Sequence, residues 1–299
     1  METLIKSTAE LQKYVKVNKS MNFEMFRSFL IDAQDKYILP YIGQETIDQI
    51  KDSESDKLRE YLCRVLGPFA MASATDEFSI GFGESGHTVA RSEVLAPASD
   101  AKIEKAKESL YKRGWSNMDT ALKYLEKQKE TYPDWANNRQ ISTKLFENAS
   151  EFQEKGLVDI DNSPLTFHHM RMLILRIESS ETFKLLPEEM QDNFNKSEVA
   201  KITDAMQAYT GSRVAALHTS QSTKMQRSKP ANGVEFKPTI RPLYDDIEQT
   251  GNYFAEQAIY WRGVLDEALV ENDKKSEDEN KMKFNGPDRK LFVATASRL

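Results

Sequence analysis

The chain has 299 residues, a net charge of −6 and a pI near 5.5, with 39% hydrophobic and 29% charged residues. These values indicate one large globular domain or two smaller ones, and they disfavour a protein whose main task is to grip phosphates, because such proteins usually carry positive charge. No stretch approaches the roughly 18 apolar residues of a membrane span, and the first residues lack the apolar region expected of a signal peptide.

Helical spacing dominates the beginning of the chain. Apolar residues recur every three or four positions from Phe23 to Ile38, and Pro40 is expected to end this helix. A short helix is predicted at residues 44–50. A longer one begins near Asp56, with a bend expected where Gly67 precedes a proline.

The single cysteine, Cys63, lies in the apolar stripe of this second long helix. One cysteine excludes a disulfide within the chain. We therefore interpret Cys63 as a small buried apolar side chain in a reducing compartment, rather than as a nucleophile.

A β-hairpin is predicted at residues 77–95, projecting between helices. Residues 77–80 alternate in polarity, 81–86 are rich in glycine, and 87–95 suggest a weaker second strand. The glycines spell G-x-G-x-x-G, but no helical stripe follows them and no βαβ unit surrounds them, so a turn is favoured over a dinucleotide site.

Another helix is predicted from Ser99 to about Leu125, ending before the Tyr132–Trp135 turn. In the second half, helices are predicted after Ser163, near Ser197 and from Pro242. A polar, basic loop is predicted at 219–241 and a charged, disordered linker at 271–283, followed by a short tail.

The halves can be superposed at one shift of 137 residues, which places Gly251 on Gly114 and aligns three helices without a gap. This coincidence favours two copies of a three-helix unit. The alternative is that the apolar positions of unrelated amphipathic helices coincide by chance at this shift. The predicted organisation is a first helical unit at 1–140, a second at 141–271, and a linker with an extended C-terminal tail at 272–299.

Catalytic and metal-binding patterns are weak in this sequence. His168 and His169 are adjacent, so their side chains point about 100° apart on a helix and do not suit one metal ion. No nucleophile elbow or phosphate-binding loop occurs. We expect no cofactor, no metal and no enzymatic activity, although an enzyme built from scattered carboxylates and histidines stays a third possibility.

Two further segments suggest binding. The basic stretch is either a solvated loop or a contact with DNA or an acidic partner, with Lys224, Arg227 and Lys229 as its central cations. In the tail, Leu291, Phe292 and Val293 form a tethered β-prone patch that could add to a neighbour, with a frayed terminus as the alternative.

Two turn motifs in the first half of the chain resemble those of a known protein family. The sequence AQDKYILPYIG at 33–43 ends a helix in a Pro-aromatic-aliphatic-Gly turn, and Tyr132-Pro133-Asp134-Trp135 closes the third helix. With the apolar helix and hairpin between them, residues 20–140 resemble the head-to-tail connector family of tailed bacteriophages. The similarity is greatest to ring proteins of crAss-like and other Bacteroidetes phages. The second half departs from the pattern, because Ile177 stands where Pro40 would recur.

The resemblance implies a structural virion protein with a helical-bundle connector fold. It implies an adaptor ring, often twelvefold, that joins the portal protein to other connector and tail proteins and lets double-stranded DNA pass without sequence-specific binding. It places the protein at the head–tail junction, and in the host cytoplasm during assembly. Phe82 in the hairpin and the tail residues are the expected contacts between subunits. The residues alone leave open a cytoplasmic helical protein-binding or regulatory protein.

Overall fold

The computed structural model describes residues 2–18, 21–53, 55–79, 81–83, 86–88, 99–138, 142–226 and 235–284. The protein is mainly helical, as predicted. The chain divides into two compact units, and each unit consists of three separate segments of the sequence. Unit 1 comprises Met1–Ile141, Ser163–His169 and Met225–Thr239, and unit 2 comprises Ser142–Asn162, Met170–Lys224 and Ile240–Leu299.

Unit 1 is built around three helices with shorter ones between them. Its helices are α1 (Thr8–Leu11), α2 (Phe23–Tyr37), α3 (Leu39–Ile42), α4 (Gln44–Ile50), α5 (Lys57–Ser79), α6 (Asp100–Lys127) and α7 (Pro133–Asn138). Two three-residue strands, β1 (Gly81–Gly83) and β2 (Gly86–Thr88), pair antiparallel with Phe82 opposite His87.

The three long helices of unit 1 meet at Phe69 of α5. The Tyr37 ring of α2 stacks on Phe69 at 4.2 Å between centroids, and Trp115 of α6 meets the same ring edge-on at 4.8 Å. A Cβ on Gly114 would lie 2.7 Å from the Phe69 ring, so glycine is what lets α6 approach α5 this closely. Cys63 is fully buried in this core, which confirms its prediction as a small apolar side chain.

Several boundaries in unit 1 correct the sequence-based predictions. Pro40 lies in the first turn of α3, where a backbone N–H is not needed, so the chain stays helical until Gly43, whose φ is 81°. Helix α5 continues through Pro68 to Ser79. Residues 77–79 are therefore helical rather than strand, so the hairpin predicted at 77–95 is not supported in that form. Residues 89–98 lie outside the described residues.

Unit 2 holds the remaining helices. They are α8 (Ala149–Gly156), α9 (Pro164–Ile177, of which residues 170–177 belong to this unit), α10 (Glu188–Asp192), α11 (Ala200–Gln226) and α12 (Ile247–Phe284). A π-helical turn, Glu178–Thr182, and a 3-10 turn, Phe183–Leu185, follow α9.

Helices α11 and α12 run side by side in opposite directions. Near one end Lys201 forms an ion pair with Glu271 at 3.0 Å, and near the other a Cβ on Gly251 would lie 2.9 Å from the Thr219 hydroxyl oxygen. The α12 residues Thr250, Phe254, Ala258 and Leu265 are buried at spacings of four and seven, which marks the inward face of the helix.

Three predictions for the second half are wrong or unsupported. The segment 219–226, placed in the basic loop, forms the last turns of α11, and 272–283, predicted as a disordered linker, continues α12 to Phe284. The starts of α9, α11 and α12 are not separated from those of α2, α5 and α6 by one constant shift, so the duplication is not supported.

Candidate interaction surface

Large apolar side chains are exposed mainly in unit 2. Of the eight such exposed side chains in the described part of the chain, Met25 alone belongs to unit 1. The others are Leu157, Met172, Leu243, Tyr244, Ile259, Tyr260 and Val270. Single exposed apolar residues are ordinary, whereas a contiguous group marks an interaction site. The question is therefore which of them lie together.

Three of these side chains share one side of α12. Ile259 is 75% exposed, Tyr260 is 60% exposed and Val270 is 53% exposed. At 100° per residue, Ile259 and Val270 point in nearly the same direction, Gly263 lies between them and Tyr260 borders them. This direction lies more than 90° away from the buried residues Phe254 and Ala258. We call Ile259, Tyr260, Gly263 and Val270 the α12 outer face.

Among the described residues, none packs against Gly263. A Cβ built on it would have no atom within 4 Å, whereas a Cβ on Gly114, Gly211 or Gly251 would come within 3 Å of a neighbour. Glycine in a helix interior costs about 1 kcal/mol relative to alanine. Gly114, Gly211 and Gly251 allow a neighbouring part of the chain to approach closely. Gly263 would have the same use if the backbone of a partner packed against it.

Carboxylates lie on and beside the outer face, with Asp266 between Gly263 and Val270. Glu256, Asp266 and Glu267 are all exposed, and Arg262 is the single cation between residues 256 and 270. A face that carries both exposed apolar side chains and carboxylates favours a partner that combines apolar with basic side chains, because complementary charges steer and orient binding.

The helix that presents this face is held firmly at its start. The Thr250 hydroxyl donates to the Asp246 carbonyl at 3.1 Å and accepts from the Tyr244 N–H at 3.3 Å. Thr250 is fully buried. Further along, the Lys201 ammonium lowers the pKa of Glu271 through their hydrogen bond. The outer face therefore lies on a rigid element rather than on a loop.

A second polar feature of unit 2 centres on Glu178, in the π-helical turn. Its side chain accepts hydrogen bonds from the Thr143 hydroxyl at 2.5 Å and from the N–H groups of Lys144 and Leu145, both at 3.2 Å. Burial raises the pKa of Glu178, while these hydrogen bonds act against that rise. All three donors come from residues 143–145 of the same chain. We therefore interpret Glu178 as a structural clamp that holds this segment.

Unit 1 contains an aromatic cluster around His169. The Tyr41 hydroxyl and His169 Nε2 lie 2.8 Å apart, and Phe236 packs on the imidazole with 4.8 Å between ring centroids. Desolvation, with a contribution from His168, lowers the pKa of His169 to about 4. Burial raises the pKa of Tyr41 to about 12. Both side chains are therefore neutral at neutral pH, and the His169 tautomer determines which of them donates.

Unit 1 also has a polar groove of about 880 Å³. Its charged side chains largely satisfy one another. Arg59 pairs with Glu10 at 2.6 Å, and Lys6 pairs with Asp52 at 2.7 Å. Among the described residues, no group of three or more histidine, cysteine or acidic side chains is arranged to hold a metal ion. No helix in the described part of the chain is long and apolar enough to cross a membrane.

The predicted site residues are only partly placed by the structure. Lys224 lies near the end of α11 and Phe82 lies in β1. Arg227 and Lys229 fall outside the described residues, and so do Leu291, Phe292 and Val293. Two outlying cations of the basic stretch have carboxylate partners within unit 2, because Arg213 pairs with Glu181 at 2.6 Å and Arg241 with Asp159 at 3.0 Å.

The outer face of α12 was missed by the sequence reasoning. Helical periodicity identifies the buried stripe of a helix and treats everything else as solvated. The available signal was the glycine at 263 in a helix interior, with Ile259 and Val270 lying off the buried stripe.

Comparison with known proteins gives one match. Residues 11–144, less than half of the chain, match a family of unknown function, DUF6712. No curated protein matches the chain. No solved structure matches it either.

Proposed function

We propose that the protein is a structural subunit of an oligomeric ring, a head-to-tail connector of a tailed bacteriophage. The observation that carries the proposal is the α12 outer face, an apolar strip around an unexplained glycine on a rigid helix. A surface of this kind supports protein–protein assembly. The identity of the assembly rests on the connector-like residues of unit 1.

Those residues support the proposal by their placement. Trp135 Nε1 donates to the Tyr41 carbonyl at 3.0 Å, which joins the Tyr-Pro-x-Trp turn to the end of α3. The Tyr132 hydroxyl lies 3.1 Å from a carboxylate oxygen of Asp56 at the start of α5. The segments that carry the resemblance therefore pack against each other in one unit, where they act as a combined structural motif.

The proposed ring has definite partners. Subunits would contact one another head to tail, often in a twelvefold ring, and the ring would bind the portal protein on one side and connector or tail proteins on the other. Such contacts are heterologous, so each subunit needs two different surfaces. The net charge of −6 suits a channel protein, because each phosphate that a protein neutralises adds affinity and would slow the passage of DNA. Lys224, Arg227 and Lys229 remain proposed contacts with DNA or an acidic partner.

The test is the mass of the purified protein in solution, measured by light scattering or native mass spectrometry, alone and mixed with a portal protein from the same phage genome. We expect a closed oligomer, formed alone or on the portal, and its loss when Val270→Asp is introduced. The matched control is Met25→Asp, at an exposed apolar position of unit 1. A stable monomer that ignores the portal would contradict the connector and favour a cytoplasmic binding protein.

A further inference from the structure

We infer that the α12 outer face of one subunit binds the C-terminal segment of a neighbouring subunit, centred on residues 289–293. This inference rests on the proposed ring assembly and deepens it by naming the two surfaces that meet. Such a contact is heterologous, because the face and the segment belong to different parts of the chain.

The chemistry of the two partners is complementary. The segment 289–293 reads Arg-Lys-Leu-Phe-Val, two cations followed by three apolar residues, and Arg298 adds a further charge near the end of the chain. The outer face offers Ile259, Tyr260 and Val270 together with the exposed carboxylates of Glu256, Asp266 and Glu267. Apolar burial would supply affinity, and the charges would set the orientation.

The lengths of the two partners also agree. Ile259 and Val270 are eleven helical residues apart, which is about 16 Å along the helix axis. Five extended residues span roughly the same distance. Gly263 lies within this stretch, where the missing side chain leaves room for an extended backbone to pass close to the helix.

The segment of the same chain cannot make this contact. Helix α12 ends at Phe284, and Gly263 lies about 32 Å back along the axis from that residue. Leu291, the middle residue of the segment, is seven residues beyond Phe284, so a fully extended chain carries it back at most about 25 Å. A segment centred on Leu291 therefore cannot lie centred on Gly263 of its own helix, and a contact in that register needs a second copy.

A labelled peptide tests the contact directly. The probe is a fluorescein-labelled peptide of residues 285–299. The receptor is the full chain carrying Leu291→Asp, Phe292→Asp and Val293→Asp, so that its own segment does not compete. We expect saturable binding in fluorescence anisotropy, weakened by about tenfold or more when Val270→Asp or Gly263→Trp is added to the receptor.

Matched control variants show whether the peptide binds specifically to the outer face. Met25→Asp in the receptor should leave binding unchanged, because Met25 is an exposed apolar residue of unit 1. A peptide with the three Asp substitutions should not bind. Since Val270→Asp adds negative charge near a basic peptide, a loss of binding would report the apolar contact rather than charge. Absent binding, or binding that both face variants leave intact, would overturn the inference.

Cross-linking tests whether the contact joins two chains. Cys63 is buried and its pKa is raised to about 12, so it should stay unreactive. A chain with Gly263→Cys is mixed with a longer, tagged chain with Leu291→Cys; these central positions pair whichever way the segment runs. We expect a disulfide-linked mixed dimer, and about tenfold less when Lys112→Cys replaces Gly263→Cys. A double-cysteine chain that links only within itself would overturn the inference.

The two proposals fail in distinguishable ways. If the unsubstituted chain forms a ring and the chain with the Asp-substituted tail forms it equally well, the docking is wrong and the ring stands. If the unsubstituted chain forms no oligomer, alone or with portal protein, the ring itself is wrong whatever the peptide does.

Discussion

At the scale of single residues, Glu178 is an example of a buried charge that the chain retains for its hydrogen bonds. It is only 2% exposed, and three donors of residues 143–145 converge on its carboxylate. Removing the acceptor while the Leu145 N–H stays buried costs more than that hydrogen bond itself contributes. The surroundings of Glu178 therefore predict a strongly asymmetric response to substitution.

Glu178→Ala should lower the free energy of unfolding by about 3 kcal/mol, because it leaves the N–H groups of Lys144 and Leu145 without an acceptor and the Thr143 hydroxyl with only the more distant Phe146 carbonyl. Glu178→Gln should cost only about 1 kcal/mol, since one oxygen remains and the desolvation of a charge is avoided. Urea unfolding followed by circular dichroism measures both. Equal values for the two variants would show that Glu178 does not act as the clamp described above.

His169 predicts a dependence of stability on pH. Its pKa in the folded protein is lowered from 6.5 to about 4, so the unfolded chain binds more protons than the folded one between these values. The contribution of His169 to stability is therefore complete above about pH 6.5 and is lost as the pH falls toward 4. The residue is partly exposed, which moderates the size of the effect.

The variant His169→Gln isolates this contribution. It keeps both a donor and an acceptor near the Tyr41 hydroxyl but does not titrate, so its unfolding free energy should fall less steeply between pH 6.5 and 4 than that of the unsubstituted chain. Urea unfolding at several pH values measures the difference, and an NMR titration of the imidazole checks the pKa. Parallel curves for the two proteins would rule out the proposed titration.

At the scale of elements, the two glycines of α12 make a matched pair. Gly251 lies against Thr219, and a Cβ there would lie 2.9 Å from the hydroxyl oxygen, whereas Gly263 faces open space. Gly263→Ala should therefore stabilise the isolated subunit by about 0.5–1 kcal/mol. Gly251→Ala should gain less or destabilise it, because the Thr219 side chain has to move.

The same pair separates folding from assembly. If the outer face is an interface, Gly263→Ala should weaken self-association while it stabilises the subunit, which is an uncommon combination. Chemical unfolding of the subunit and the concentration dependence of its mass give the two quantities. An alanine at 263 that stabilises the subunit and leaves association unchanged would show that no partner approaches this position.

The elements also show where sequence reasoning succeeds. The apolar repeat found the three long helices of unit 1 and, in unit 2, the buried stripe of α12, because burial on one side leaves a period of 3.6 in the sequence. The apolar repeat did not predict the helical segments that lack it. Residues 77–79 continue α5 despite alternating polarity, and 272–283 continue α12 although their sequence has no apolar repeat. The outer face lacked a periodic signal.

At the scale of the whole molecule, the units are assembled from segments distant in the sequence. Ser163 Oγ donates to Asp119 of α6 at 2.6 Å, and the Leu165 N–H donates to the same oxygen at 3.2 Å. Leu165 is fully buried in the core of unit 1. Periodicity cannot reveal such a contact, because a hydrogen bond over more than forty residues leaves no local pattern.

This arrangement predicts that unit 1 does not fold well when the chain is cut after residue 141. A fragment of residues 1–141 leaves Asp119 without the Ser163 and Leu165 donors and removes Leu165 from the core. Losses of this kind amount to a few kcal/mol, so its thermal midpoint should lie roughly 10 °C below that of a fragment of residues 1–177. Circular dichroism measures the midpoints, and tryptophan fluorescence reports the packing around Trp115.

Asp119→Ala in the longer fragment is the control for this comparison. It removes the acceptor but keeps Leu165 in the core, so its midpoint should fall between those of the two unsubstituted fragments. Equal midpoints for residues 1–141 and 1–177 would show that unit 1 is complete without its later segments. Otherwise residues 11–144, which match the family of unknown function, depend for their packing on residues that lie beyond the match.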